Sequence, residues 1–156
     1  MNFIISKMNN ENATAVAEIE KNCFSKPWSI SAIEAELENP NAHFYVLTVE
    51  DNNAADNKIV GYGGMHIILD EAYIANIAVL PQFRKNGFGK AITTQLINNA
   101  INHSCEFISL EVRPSNTNAV KMYSLLGFEE VGKRKNFYSS PTEDGLIMTK
   151  YLNTKD

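Results

Sequence analysis

A turn rich in glycine and positive charge, residues 84–90, is the clearest chemical signal in this sequence. It reads Arg-Lys-Asn-Gly-Phe-Gly-Lys, follows a strand-like run at 76–79 and precedes a helical pattern at 90–102. The first amides of a helix lack intrahelical partners, and the helix dipole adds positive potential at that end. Gly87 and Gly89 have no Cβ, so the backbone can turn sharply and a ligand can approach closely. The segment therefore predicts a binding site for an anion such as a phosphate.

The turn does not by itself identify its ligand. A dinucleotide motif would place a third glycine where the sequence has Ile92, and a Walker-type loop would place Ser or Thr where it has Ala91. The same residues are equally consistent with a tight packing turn that binds nothing. The sequence thus argues against a nicotinamide dinucleotide and against a nucleotide held in a Walker loop.

A carboxylate inside an apolar strand is the second candidate for chemistry. Glu111 belongs to the strand-like run at 107–112, where burial of an unpaired charge would be costly. A carboxylate in such a position can accept a proton as a general base, directly or through one water molecule. The alternatives are a surface charge or an ion-pair partner for Arg113.

A tyrosine on the following helix is the third candidate. The pattern predicts a helix at 117–126 with Asn116 as its N-cap, and Asn116 and Tyr123 lie two turns apart on one face. A phenol hydroxyl can act as a proton donor, but an aromatic residue at helical spacing more often belongs to the core, so the residues alone favour packing for Tyr123. His66 is a weak rival base that we predict to be structural.

The composition bounds what kind of protein this is. The chain has 156 residues, of which 44% are hydrophobic and 21% charged, and this predicts one globular domain over residues 1–156. A net charge of −4 argues against nucleic-acid binding. The sequence shows neither a membrane span nor a signal peptide, so a cytoplasmic location is predicted. Cys23 and Cys105 have no metal or redox spacing, so we expect reduced thiols and no metal site.

The elements that must position these residues alternate along the chain. Hydrophobic spacing predicts strands at 3–7, 43–49, 59–69, 72–79, 107–112, 128–135 and 146–151, and helices at 11–22, 29–37, 90–102 and 117–126. Ser29 or Ser31 would cap the second helix, and the polar segment 51–57 predicts an exposed hairpin loop. The order β-α-α-β-β-β-α-β-α-β-β predicts an α/β fold with a single mixed central sheet and helices on both faces.

Three segments in register resemble the GNAT family of acetyl-CoA-dependent N-acetyltransferases. They are Asn76-Ile77-Ala78-Val79 followed by Arg84-x-x-Gly87-x-Gly89, then Leu110-Glu111-Val112-Arg113-Pro114-Ser115-Asn116, then Ala119-x-x-x-Tyr123-x-x-x-Gly127-Phe128. The flanks at 23–29, 134–138 and 143–148 resemble the bacterial subgroup that acetylates the N-terminal alanine of a ribosomal small-subunit protein. Two residues depart from the usual pattern: Arg84 stands where many members have Gln, and Gly145 where Ala is more usual.

The resemblance implies that an amine attacks the thioester of acetyl-CoA directly, with Glu111 as general base and Tyr123 as general acid. It implies that the coenzyme is bound by Ile77, Ala78, Val79, Arg84, Lys85, Asn86, Gly87, Phe88, Gly89, Lys90 and Asn116. The backbone amide of Val79 would polarise the carbonyl group. Phe24, Trp28 and Tyr138 would contact the acceptor.

The acceptor implied by the resemblance is the N-terminus of a ribosomal small-subunit protein. We expect the enzyme itself to be a monomer or weak dimer that binds neither nucleic acid nor a membrane. One alternative is the same fold acting on protein lysine or a small amine. Another is a non-catalytic acyl-CoA-sensing domain, but such domains tend to lose the acid and the base, and this chain keeps Glu111 and Tyr123.

Overall fold

The fold is a seven-stranded mixed sheet with four α-helices in the residues that the computed structural model describes, 2–50 and 57–152. The strands are β1 (Phe3–Lys7), β2 (Ala42–Val49), β3 (Lys58–Ile68), β4 (Glu71–Val79), β5 (Phe107–Val112), β6 (Glu129–Tyr138) and β7 (Glu143–Tyr151). The helices are α1 (Ala13–Cys23), α2 (Ile30–Glu38), α3 (Phe88–Asn102) and α4 (Thr117–Leu125). This order confirms the predicted α/β pattern.

The sheet combines antiparallel and parallel pairs, as the sequence predicts. Its strands lie in the order β1-β2-β3-β4-β5-β7-β6. The pairs β1–β2, β2–β3, β5–β7 and β6–β7 are antiparallel, whereas β4 and β5 are parallel, with Glu71–Tyr73 alongside Phe107–Ser109. A parallel pair needs a long crossover, and α3 supplies it here.

Side-chain caps set the start of two helices. Ser29, rather than Ser31, caps α2, because its hydroxyl accepts a hydrogen bond from the Ala32 amide at 3.1 Å. Asn116 accepts a hydrogen bond from the Ala119 amide at 3.2 Å, which confirms the predicted cap of α4. None of the described helices is long and apolar enough to cross a membrane.

Some element ends differ from the prediction. The first helix begins at Ala13 because residues 10–12 form a short 3-10 turn, and α3 begins at Phe88, two residues before the predicted start. The turn between β3 and β4 lies at residues 69–70 rather than 70–71. The predicted hairpin loop at 51–57 lies outside the described residues except for Asn57.

The closing hairpin is longer than predicted. β6 extends to Tyr138 and β7 begins at Glu143, and these two residues pair across the hairpin. Such pairing depends on the partner strand, so the polar sequence at 134–138 gives no local strand signal. The flank at 134–138, which carries the predicted acceptor residue Tyr138, is therefore the end of a strand, and its register shifts between Arg134 and Tyr138.

The described residues form two compact units. The first comprises residues 2–50, 57–66 and 75–96, and the second comprises residues 67–74 and 97–152. The single domain predicted over 1–156 stays a prediction.

The first unit has its core between α1, α3 and the strands that they cover. Val16 on α1 and Leu47 on β2 are fully buried, as the predicted apolar stripe of α1 requires. A Cβ added to Gly63 on β3 would lie 2.4 Å from a side-chain carbon of Ile92 on α3. A glycine on the strand therefore lets this helix pack closely, and Ile92 is a core residue.

The second unit has its core where β5 and β7 pair. Ile108 and Met148 are fully buried there. Ser109 and Thr149 are buried polar neighbours whose hydroxyl oxygens lie 2.8 Å apart. Because these hydroxyls satisfy each other, the strand can bury them without an unpaired polar group.

Candidate active site

The glycine turn of the first unit has two residues with left-handed backbone. Lys85 and Gly87 have positive φ angles of 67° and 79°, and Gly87 accepts the first hydrogen bond of α3 from the Ala91 amide at 3.0 Å. The Asn86 side chain donates to the Phe83 carbonyl at 3.0 Å and so holds the turn. Nothing lies within 4 Å of the position that a Cβ of Gly87 would occupy, so the turn leaves space for a ligand.

The two lysines and the arginine of this turn differ in their surroundings. Lys85 and Lys90 are exposed at the start of α3. The Arg84 guanidinium instead donates from Nε to the Val79 carbonyl at 3.1 Å and from Nη2 to the Cys23 sulfur at 3.6 Å. Arg84 therefore ties the turn to the end of β4 and to the end of α1.

The end of β4 presents both a packed and an accessible side. Ala78 is buried, whereas Ile77 and Val79 are partly exposed. The Cys23 thiol also donates to the Val79 carbonyl, at 3.4 Å. Burial raises the pKa of this thiol above its ordinary value, so Cys23 stays protonated at neutral pH.

The Glu111 carboxylate of the second unit forms an ion pair, but not with Arg113. Its Oε1 lies 3.0 Å from Nε of Arg134 on β6, and 26% of the Glu111 side chain is exposed. Arg113 pairs instead with Glu143, at 3.2 Å. The carboxylate is thus partly buried, charge-compensated and within reach of solvent.

Tyr123 is buried on α4, with 8% of its surface exposed. Its ring packs edge-on against Phe128, with the ring centroids 5.6 Å apart. Burial raises the pKa of the Tyr123 hydroxyl above its ordinary value, and the nearby Tyr138 raises it further. The hydroxyl therefore remains a proton donor throughout the neutral range.

The loop that follows α1 holds two of the predicted acceptor residues. Phe24 is exposed, whereas the Trp28 ring is partly buried, with its centroid 6.1 Å from that of Phe44. Trp28 also lines an open cavity of about 310 Å³ within the first unit. Its other lining residues are Thr14, Ala17, Glu18, Lys21, Ser29, Ile30 and Ser31.

Glu20 is a buried carboxylate that the sequence interpretation missed. It is 1% exposed and accepts hydrogen bonds from the Trp28 amide at 2.8 Å, the Asn76 amide group at 3.2 Å and the Tyr62 hydroxyl. Burial and the adjacent carboxylate both raise the pKa of Tyr62, so its hydroxyl stays protonated as the donor. The available signal was its position, four residues after Val16 on the apolar face of the first helix.

His66 and the remaining cysteine have structural surroundings. His66 Nε2 lies 2.5 Å from a carboxylate oxygen of Glu36, and its ring meets the Phe44 ring edge-on. Cys105 is a buried free thiol whose pKa is raised by burial. Within the described residues, no group of three His, Cys, Asp or Glu side chains could hold a metal ion.

Comparisons with known proteins agree with these features. The model of the acetyltransferase (GNAT) family matches residues 13–128. The Haemophilus influenzae ribosomal protein bS18-alanine N-acetyltransferase is 34% identical over 152 residues, covering 96% of this chain and 99% of the relative. The Escherichia coli enzyme of the same description is 30% identical over 141 residues, covering 90% and 89%. The crystal structure of the Escherichia coli ribosomal-protein alanine N-acetyltransferase superposes with a TM-score of 0.84 at 29% identity, covering 97% and 94%.

Proposed function

Because the chain belongs to the GNAT family of acetyltransferases, we propose that it transfers the acetyl group of acetyl-CoA to the N-terminal alanine of ribosomal protein bS18, as a RimI-type enzyme. One observation carries this proposal. Over most of its length the chain is 30% to 36% identical to relatives described as ribosomal protein bS18-alanine N-acetyltransferases.

The part of the proposal that concerns the acetyl donor rests on the glycine turn. We propose that the turn holds the coenzyme pyrophosphate on the backbone amides of residues 85–90, which suit an anion because they open α3. The left-handed backbone at Gly87 and the exposed Lys85 and Lys90 support this. The main chain of Ile77, Ala78 and Val79 would hold the pantetheine arm as an added strand does. Asn116 would contact the same arm.

The chemical half assigns one proton transfer to each of two side chains. The acceptor α-ammonium has an ordinary pKa of about 8, so a carboxylate such as Glu111 can take its proton, directly or through one water. The free amine then attacks the thioester carbonyl, whose oxygen the Val79 amide would stabilise. As the C–S bond breaks, Tyr123 would act as the general acid by donating its hydroxyl proton in a hydrogen bond to the departing sulfur. The raised pKa of Tyr123 supports this role because the proton is in place before the reaction.

The part of the proposal that concerns the acceptor rests on aromatic residues. We propose that Phe24, Trp28 and Tyr138 contact the first residues of the acceptor, with Trp28 held in place through its amide by Glu20. Aromatic side chains suit this task because they supply rigid contact area with few rotatable bonds. The reaction would take place in the cytoplasm, where ribosomal proteins are made. The enzyme would act as a monomer or weak dimer.

Peptides that differ only in their first residue test the function. The purified protein is incubated with acetyl-CoA and a bS18 N-terminal peptide beginning with Ala, Ser, Gly or Met, and each product is measured by intact mass. We expect one acetyl group on the N-terminal amine, added fastest to the Ala peptide. A peptide with a blocked N-terminus and one lysine, together with a polyamine, completes the set. Acetylation of these controls, with untouched peptide N-termini, would contradict the proposal.

A further inference from the structure

One arginine holds the loop between β6 and β7 at several points. Arg113, which follows β5, donates from Nη1 to the Pro141 carbonyl at 2.8 Å and from Nη2 to the Ser139 carbonyl at 3.1 Å. Its guanidinium carbon also lies 4.5 Å from the centroid of the Tyr138 ring. The guanidinium thus lies over the Tyr138 ring at the end of β6 and donates hydrogen bonds to the loop.

Glu143 completes this arrangement from the first residue of β7. Its carboxylate accepts hydrogen bonds from the Ser115 amide at 2.8 Å and hydroxyl at 2.7 Å, and it pairs with Arg113. The hydrogen bonds from Ser115, aided by Arg113, hold the pKa of Glu143 below its ordinary value. A lowered pKa keeps the carboxylate charged at neutral pH, and its contribution is lost only as the pH falls through that lowered value.

Arg113 and Glu143 together form a clamp, and Tyr138 is the residue that this clamp holds. Burial raises its pKa to about 12, and the nearby Glu111 carboxylate raises it as well. Tyr138 in turn raises the pKa of Tyr123. Tyr138 therefore interacts electrostatically with both side chains that the proposed function assigns to proton transfer.

We propose that Arg113, held by Glu143, is a positioning residue for acceptor recognition, because it fixes the Tyr138 ring and the β6–β7 loop. This inference rests on the proposed function, which takes Tyr138 as an acceptor contact. An arginine is needed because its planar fork can donate along several directions while its face stacks on a ring. A lysine offers a point charge and cannot make these contacts together.

Two substitutions at Arg113 and one control test the clamp. Arg113→Gln removes the charge and most donors, and Arg113→Lys keeps the charge but loses the planar fork of donors. Lys121→Gln removes a charge from an exposed position on α4. Kinetics with the Ala peptide give separate KM values for acceptor and acetyl-CoA, and amide hydrogen exchange reports the opening of residues 138–143.

We expect Arg113→Gln to raise the acceptor KM by about tenfold, the size of a lost hydrogen bond to a charged group. The loop amides should exchange faster, whereas kcat and the KM for acetyl-CoA should stay within about twofold. Arg113→Lys should fall between this variant and the unaltered protein, and Lys121→Gln should match the unaltered protein.

Several results would overturn the inference. Unchanged amide hydrogen exchange of the loop in both Arg113 variants would show that Arg113 does not hold the loop. Faster exchange with an unchanged acceptor KM would show that holding the loop has no role in recognition. Similar impairment of kcat and of both KM values, together with lower thermal stability, would show that Arg113 only stabilises the fold. If no peptide is acetylated at all, the proposed function fails, but the exchange measurement still decides whether the clamp exists.

Discussion

At the scale of single residues, Tyr123 shows how burial keeps a hydroxyl group protonated. An exposed tyrosine has a pKa of about 10, and the surroundings of Tyr123 raise this value. The thiol of coenzyme A has a pKa of about 8.5, so transfer of the phenol proton to a fully formed thiolate is uphill. We therefore infer that Tyr123 acts by hydrogen-bonding to the sulfur as negative charge develops.

The first prediction is that Tyr123→Phe lowers kcat far more than it weakens acetyl-CoA binding. General acids typically contribute about 100-fold or more to the rate, whereas the ring contacts with Phe128 would persist. Turnover and calorimetric acetyl-CoA affinity check this. Tyr151→Phe, at an exposed position on β7, is the matched control. Unchanged turnover in the Tyr123 variant would remove this residue from the mechanism.

The second prediction concerns the pH dependence of Glu111→Gln. The acceptor amine is mostly protonated below a pH of about 8, so a missing base matters most at low pH. We expect the rate ratio between the unaltered protein and the variant to be largest near pH 6 and to shrink towards about pH 9. The pH profile of kcat/KM measures this, with the exposed Glu129→Gln on β6 as control. A uniform loss at every pH would assign Glu111 a positioning role.

At the scale of elements, Glu20 joins a helix to two strands and a loop. It lies on α1, and its hydrogen-bond donors come from β3, β4 and the segment before α2. A buried carboxylate is stable only while such donors surround it, and each donor is satisfied by it in turn. The Trp28 backbone is therefore fixed by the same group that joins α1 to the sheet.

The third prediction is that Glu20→Ala lowers the free energy of unfolding by about 3 kcal/mol at neutral pH. It leaves the Trp28 amide and the Tyr62 hydroxyl without this acceptor in a buried site. Urea unfolding measures the loss. Glu18→Ala on the exposed face of the same helix is the matched control, for which we expect little change. An equal effect of both substitutions would show that only helix propensity or net charge is at work.

The fourth prediction is that Gly87→Ala weakens acetyl-CoA binding. The φ angle of 79° is unfavourable for an L-residue by roughly 1–2 kcal/mol, and an added Cβ would occupy the open space above the turn. Calorimetric affinity for coenzyme A measures this without catalysis. Gly132→Ala is the control, because its added Cβ would make only an ordinary contact at 3.8 Å with Ile147. Equal affinity in the two variants would argue against an anion site at this turn.

Local signals made the caps and the glycine turn predictable, and most element ends to within two residues. Asn116 and Gly87 act through neighbours a few residues away, so their roles are visible in the sequence. The pairing of Glu111 with Arg134 depends on how β5, β7 and β6 lie side by side. The sequence suggested Arg113 as the partner because it is near in the chain, and only the sheet order corrects this. The role of Glu20 could not be predicted for the same reason, because its hydrogen-bond donors lie in three segments that are distant in the sequence.

At the scale of the whole molecule, net charge should influence how the acceptor is captured. The chain carries a net charge of −4, whereas small-subunit ribosomal proteins are basic because they bind RNA. Opposite net charges steer diffusional encounter, and salt screens this attraction over a Debye length of about 8 Å at physiological ionic strength. Attraction of this kind acts on an intact acceptor more than on a short uncharged peptide.

The fifth prediction is that salt lowers kcat/KM for intact bS18 but not for a short peptide with the same first residues and no further charge. We expect a several-fold fall between about 50 and 500 mM salt for the protein, and less than about twofold for the peptide. Because both acceptors present the same N-terminus, the difference isolates long-range attraction from the contacts proposed for Phe24, Trp28 and Tyr138. Parallel salt dependence of the two acceptors would assign recognition to those local contacts alone.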